Sequence, residues 1–80
     1  MNRNEILQEI NSVFKNILDN EDIVIEENTE ASDVDEWDSL SHIQLVVAIE
    51  RHFKIRFTSK EIQSWGNVGE MLDSIQNKGI

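Results

Sequence analysis

From Leu40 to Phe53, "LSHIQLVVAIERHF", apolar residues recur at helical spacing on more than one face. Leu40, Ile43 and Val47 mark one side and Val46, Ile49 and Phe53 another, so the middle, "LVVAI", is apolar nearly all round. The β-branched residues there would suit a strand, but the pattern is too long for one and keeps the helical period. A helix that is apolar on several sides has to be surrounded by neighbours. In a chain of 80 residues that means a small bundle with residues 39–53 at its centre.

The rest of the chain supplies the neighbours. Residues 4–18 read as an amphipathic helix on Ile6, Ile10, Val13 and Ile17, with Leu7, Phe14 and Leu18 widening the stripe. After Phe53, "KIRFT" alternates, which turns Ile55 and Phe57 inward from an extended link. Thr58-x-x-Glu61 is a capping box for a short helix over residues 59–64 that ends near Trp65-Gly66. Asn67-x-x-Glu70 starts a last helix through Val68, Met71, Leu72 and Ile75, with Lys78-Gly79 to close it. The expected fold class is all-α: a four-helix bundle, three main helices and a short third, with a long acidic loop between the first two. Residues 1–80 are expected to form one domain, with net stability of about 3–5 kcal/mol.

The acidic loop dominates the electrostatics. Between Asp19 and Asp38 there are ten Asp or Glu and no Lys or Arg, within a total net charge of −9. Such a chain repels nucleic acid and anionic membranes and attracts basic protein surfaces. A merely solvated loop reads equally well from charge alone. A connection of this length is usually functional or disordered. Its scattered Ile23, Ile25, Val34 and Trp37 suggest that it is pinned across the core. There is no cysteine, hence no disulfide or thiolate metal site to expect. "MNRNEILQEI" lacks the apolar core of a signal peptide, and the longest apolar run, Leu45 to Ile49, is too short to span a bilayer. The expectation is a cytoplasmic monomer that neither inserts in membranes nor binds nucleic acid.

Several chemistries can be set against the residues. Asp33-x-Asp35 begins like a calcium loop, but Asp38 stands where such a loop turns on glycine and Gln44 where it ends on glutamate. No metal site is expected. Ser39 with Asp38 and His42 can be set against a catalytic triad, Ser39 and His42 being helical neighbours, but nothing else supplies an oxyanion hole or a substrate cleft. His42 is expected on the surface of the first turn. Trp37 and Trp65 lie beside turns, where an indole can close the end of a bundle and its N–H can reach a carbonyl. Arg51, Lys54, Arg56 and Lys60 form a basic group expected to be solvated. Ser39, on the seam between acids and apolar residues in "DEWDSLSHIQL", can be a helix cap, a nucleophile or an attachment point.

In this context the chain resembles the acyl carrier proteins, small four-helix carriers whose D-S-L serine bears 4′-phosphopantetheine. The resemblance runs nearly end to end. The amphipathic first helix, the acidic loop, "DSL" at 38–40, "FKIRF" at 53–57 and the closing "SKEIQSWGNVGEMLDSI" all fall in family order. It implies attachment at Ser39, with a phosphopantetheinyl transferase drawing on coenzyme A. It also implies recognition through Asp38, Leu40 and Ile43, and acyl-loading and acyl-transferring enzymes as partners. The chain would then be a carrier and not an enzyme, with the thioester chemistry in the prosthetic arm. Leu40, Val46, Val47, Ile55, Phe57 and Ile62 are candidates to line an acyl cavity, and each can equally be a core residue.

The departures bear on the kind of carrier. Fatty-acid carriers usually continue with acids along the second helix; here Ser41, His42, Ile43 and Gln44 follow, and the next acid is Glu50. Peptidyl carriers usually show Gly-Gly before the serine motif, in place of Glu36-Trp37. The D-alanyl carrier has Met at the position of Leu40. Trp37 before Asp38-Ser39 looks most like discrete carriers dedicated to one lipid, polyketide or other specialised acyl pathway. The alternatives are a peptidyl or aminoacyl carrier, or an interaction module in which Ser39 only caps a helix.

Overall fold

The computed structural model describes residues 1–79. Among them four α-helices are found: α1 (Arg3–Ile17), α2 (Ser39–Phe53), α3 (Ser59–Ser64) and α4 (Val68–Gln76). A single 3-10 turn at Ala31–Asp33, which the sequence pattern did not reveal, interrupts the acidic loop. The all-α expectation holds, and each helix begins and ends within one or two residues of where periodicity and caps placed it.

Local chemistry accounts for the boundaries. Asn2 and Glu5 form a reciprocal capping box at the head of α1, Asn2 accepting from the Glu5 N–H at 2.9 Å and donating its own N–H to Glu5 at 3.1 Å. Downstream, Asp19 adopts a left-handed φ of 51°, and the periodic pattern stops there. Lys54, with φ 58°, closes α2 in the same way while its N–H bonds to the Glu50 carbonyl. The Thr58–Glu61 box opens α3 as expected. Asn67 caps Glu70 at the start of α4, but Glu70 turns its carboxylate to the Gly66 N–H at 2.9 Å instead of back to Asn67.

α1 packs against α2 and α4, and α3 packs against α4 alone. The central place expected of residues 39–53 is therefore corrected: α1 holds it, and the Leu40, Ile43 and Val47 side of α2 is left uncovered. The core is built from Ile6, Ile10, Val13 and Phe14 of α1, Leu45 and Ile49 of α2, and Val68, Met71, Leu72 and Ile75 of α4. Each buried aliphatic side chain contributes about 1.5–3 kcal/mol.

The acidic loop is held in place as its apolar residues suggested. Ile23, Ile25 and Trp37 are buried, and Trp37 meets Phe14 edge to face with centroids 4.9 Å apart. Asn11 grips the backbone of Ile25 from both sides, donating to its carbonyl at 3.0 Å and accepting its N–H at 2.8 Å. The loop also closes the head of α4, where the Val68 and Gly69 N–H groups donate to the Thr29 and Glu27 carbonyls at 2.9 and 2.7 Å. At Gly69 a Cβ would lie 3.0 Å from the Glu27 carbonyl oxygen, so this close approach favours glycine, and a larger residue would push the loop backbone away. Arg3 completes the joint with bonds to Glu27, Asp73, Gln76 and the Gly69 carbonyl.

Candidate functional site

The head of α2 is organised by Asp38, which stands one residue before the helix and caps it. Its Oδ1 accepts the Ser41 N–H at 2.9 Å, and its own N–H donates to Ser41 Oγ at 2.8 Å. Ser41 thus takes the place that glutamate holds in the usual box. Buried at this point, Ser41 also donates from Oγ to the Glu36 carbonyl at 2.8 Å, tying the loop end to the helix. The Ser41 backbone N–H bond holds the Asp38 carboxyl below the usual carboxylate range, so it is ionised at neutral pH. The sequence signal is the Asp38-x-x-Ser41 spacing, with serine where a capping box usually carries Glu or Gln.

Ser39 is the first residue of α2 and is exposed. Among the described residues the capping bonds run through Asp38 and Ser41, and none runs through the Ser39 hydroxyl. The cap reading of Ser39 is therefore corrected: Asp38, whose β-region backbone presents its carboxylate to the first turn, does that work.

His42 also departs from expectation. It is half-buried between two indoles, not a free surface residue. Its ring lies nearly parallel to Trp37 (21° between planes, centroids 6.0 Å apart) and edge-on to Trp65 at 6.2 Å. Trp37 Nε1–H donates to His42 Nδ1 at 3.0 Å, where a carbonyl had been expected. Burial pushes the imidazole below its ordinary pKa, and the accepted bond requires that Nδ1 be unprotonated, which places the neutral proton on Nε2. The two are five positions apart in sequence, and the turn into α2 brings them together. Trp65 Nε1–H donates to Ser74 Oγ at 2.8 Å. His52, which had no partner legible in sequence, meets Glu9 at 3.0 Å.

Leu40 and Ile43 project from α2 with 69% and 62% of their surface exposed, and Val47 continues the same stripe. Leu40 and Val47 therefore do not line an interior cavity as they were candidates to do. Val46 is buried, while Ile55, Phe57 and Ile62 are half-buried. Asp33, first in the calcium-like pattern, caps the 3-10 turn by accepting the Glu30 N–H at 2.9 Å. Arg51, Lys54, Arg56 and Lys60 are all exposed. Among the described residues no group of three or more His, Asp or Glu is placed to hold a metal, and no helix is long and apolar enough to cross a membrane.

This geometry fits a covalent prosthetic group. A hydroxyl that is exposed and free of structural duty stands at the positive end of a 15-residue helix, where a phosphodiester is electrostatically favoured. Comparison with known proteins agrees. The family described as "Phosphopantetheine attachment site" matches residues 4–75. The chain is 30% identical over 79 residues, 98% of its length and 96% of the relative's, to the acyl carrier protein of Thermosynechococcus vestitus. The solution structure of holo acyl carrier protein from Geobacter metallireducens superposes with a TM-score of 0.85 at 40% identity, covering 90% of this chain and 83% of that one. The chain belongs to the acyl carrier protein family, whose members are carriers, not enzymes, and bear a phosphopantetheine group.

Proposed function

We propose that residues 1–80 act as one carrier domain, a monomer, and that Ser39 is its attachment point. The observation that carries this reading is the division of labour at the head of α2. Asp38 and Ser41 make the cap, which leaves the neighbouring hydroxyl outward and unengaged. The rival reading, an interaction module that needs Ser39 as a cap, loses the role it assigned to that residue.

In the loading step Ser39 Oγ bonds to the pantetheine-side phosphorus of coenzyme A. The pyrophosphate P–O bond breaks, adenosine 3′,5′-bisphosphate leaves with the electron pair, and the hydroxyl proton passes to a base of the phosphopantetheinyl transferase. The arm, once in place, supplies a terminal thiol that holds an acyl group as a thioester. The residues of the chain present and are recognised. The α2 N-terminus offsets part of the phosphate charge, while the ionised Asp38 works against it and is available on the surface to a basic partner group. Leu40 and Ile43 offer an apolar stripe beside the arm. This face carries no acid between Asp38 and Glu50, so partner enzymes dock on it largely through apolar contact. The pathway is a dedicated lipid, polyketide or other specialised acyl route, served by its own acyl-loading and acyl-transferring enzymes.

The test is intact mass after incubation with coenzyme A, magnesium and a promiscuous phosphopantetheinyl transferase. Wild type should gain one phosphopantetheine and Ser39→Ala none. Ile43→Glu should fold normally, its stability within about 0.5 kcal/mol of wild type, and be modified more slowly. A folded, initially unmodified wild type that gains no mass would overturn the carrier reading.

A further inference from the structure

Ser39 stands at the edge of an open concavity of about 390 Å³ lined by Ala31, Trp37, Asp38, Ser39 and His42. Its walls are already fixed. Trp37 is buried against Phe14 and bonded to His42, and the His42 ring is braced by Trp65. A second concavity, of about 370 Å³, is lined by Ile17, Ile43, Gln44, Val47, Ala48 and Arg51 and does not include Ser39. What is bound to the Ser39 oxygen therefore meets the tryptophan–histidine wall first.

We propose that this concavity seats the proximal segment of the prosthetic arm, with its branched dimethyl unit packed on the Trp37 and His42 rings. The inference rests on attachment at Ser39. In the arm, the quaternary carbon bearing the two methyls follows the phosphate ester by one methylene. It is the only compact apolar group within immediate reach of the serine. The Asp38 carboxylate on the same rim repels the phosphate, so the uncharged dimethyl unit suits the seat better than the phosphate does. His42 adds a polar contact. Its Nδ1 is held by Trp37, and the Nε2–H on the opposite side of the ring is available to the hydroxyl or amide carbonyl that follows the methyls. Because Trp37 and His42 are bonded to each other before the arm arrives, little side-chain freedom is lost on seating it.

The test is nitrogen-15 NMR of the full chain before and after loading, with intact mass recorded on the same samples. The Trp37 indole N–H resonance should shift more than that of Trp65, and the arm's methyl protons should show nuclear Overhauser effects to the Trp37 and His42 rings. His42→Ala should weaken the methyl contacts to Trp37 without preventing the gain in mass. Full modification with no methyl contact to either ring would overturn the seat and leave attachment at Ser39 standing. A folded wild type that gains no mass would overturn both.

Discussion

Two helix heads in this molecule begin from similar sequence and end in opposite states. At α4, Asn67 caps Glu70, the Thr29 and Glu27 carbonyls take the Val68 and Gly69 N–H groups, and Arg3 clamps Glu27, Asp73, Gln76 and the Gly69 carbonyl. Every free end is turned inward to bind loop, first helix and last helix into one joint. At α2, Asp38 and Ser41 close the cap between themselves and the loop end, and Ser39 and Leu40 face outward. Both heads are capped by a side chain one residue before the helix. The first adds bonds to distant segments and so holds the fold. The second is closed locally and so can offer a residue to another molecule.

The contrast can be broken from either side. The largest expected effect is Ser39→Ala, which abolishes phosphopantetheine transfer by intact mass and leaves the thermal midpoint nearly unchanged, since the hydroxyl caps nothing. Gly69→Val does the reverse. Its side chain forces apart the α4–loop contact at Glu27 and should cost about 1–3 kcal/mol in chemical denaturation, while the folded fraction is still modified. Ser41→Ala falls between them. The backbone N–H of residue 41 still bonds the Asp38 carboxylate, but the Asp38 N–H loses its acceptor and the Glu36 carbonyl its donor, for a loss of about 1–2 kcal/mol. If it also slows loading, the cap positions Ser39 as well as ending the helix.

The smallest effect is in pH. The folded pKa of His42 is depressed, so the unfolded chain binds the proton more readily. The stability this contributes is fully present above the unfolded value of 6.5 and is lost as pH falls from there through the folded value. Protonation at Nδ1 would also end the Trp37 bond. Thermal unfolding of wild type from pH 7.5 to 5.5 should show this decline, and His42→Phe should flatten it. Equal slopes in the two proteins would mean that the imidazole is no more sheltered in the fold than in the unfolded chain.

The helices themselves could be read from the sequence because helical periodicity and capping are local, whereas the central place expected of α2 falls to α1. Leu45 and Ile49 on α2, Ile6 and Ile10 on α1, and the Thr58–Glu61 box specify their elements through neighbours three and four residues away. The Trp37–His42 bond, the Glu27 and Thr29 carbonyls at the head of α4, and the four bonds of Arg3 left no such trace. Arg3 and Gln76 are 73 positions apart, and no pattern in either segment specifies the other. His42 was misplaced for the same reason. Its helix position is a matter of period, but its burial depends on where a twenty-residue loop lays Trp37 and where α4 brings Trp65. Which elements form was thus written in short-range spacing. Which polar ends are sealed and which are displayed was decided only by packing, because a hydrogen bond between distant segments depends on their meeting in space.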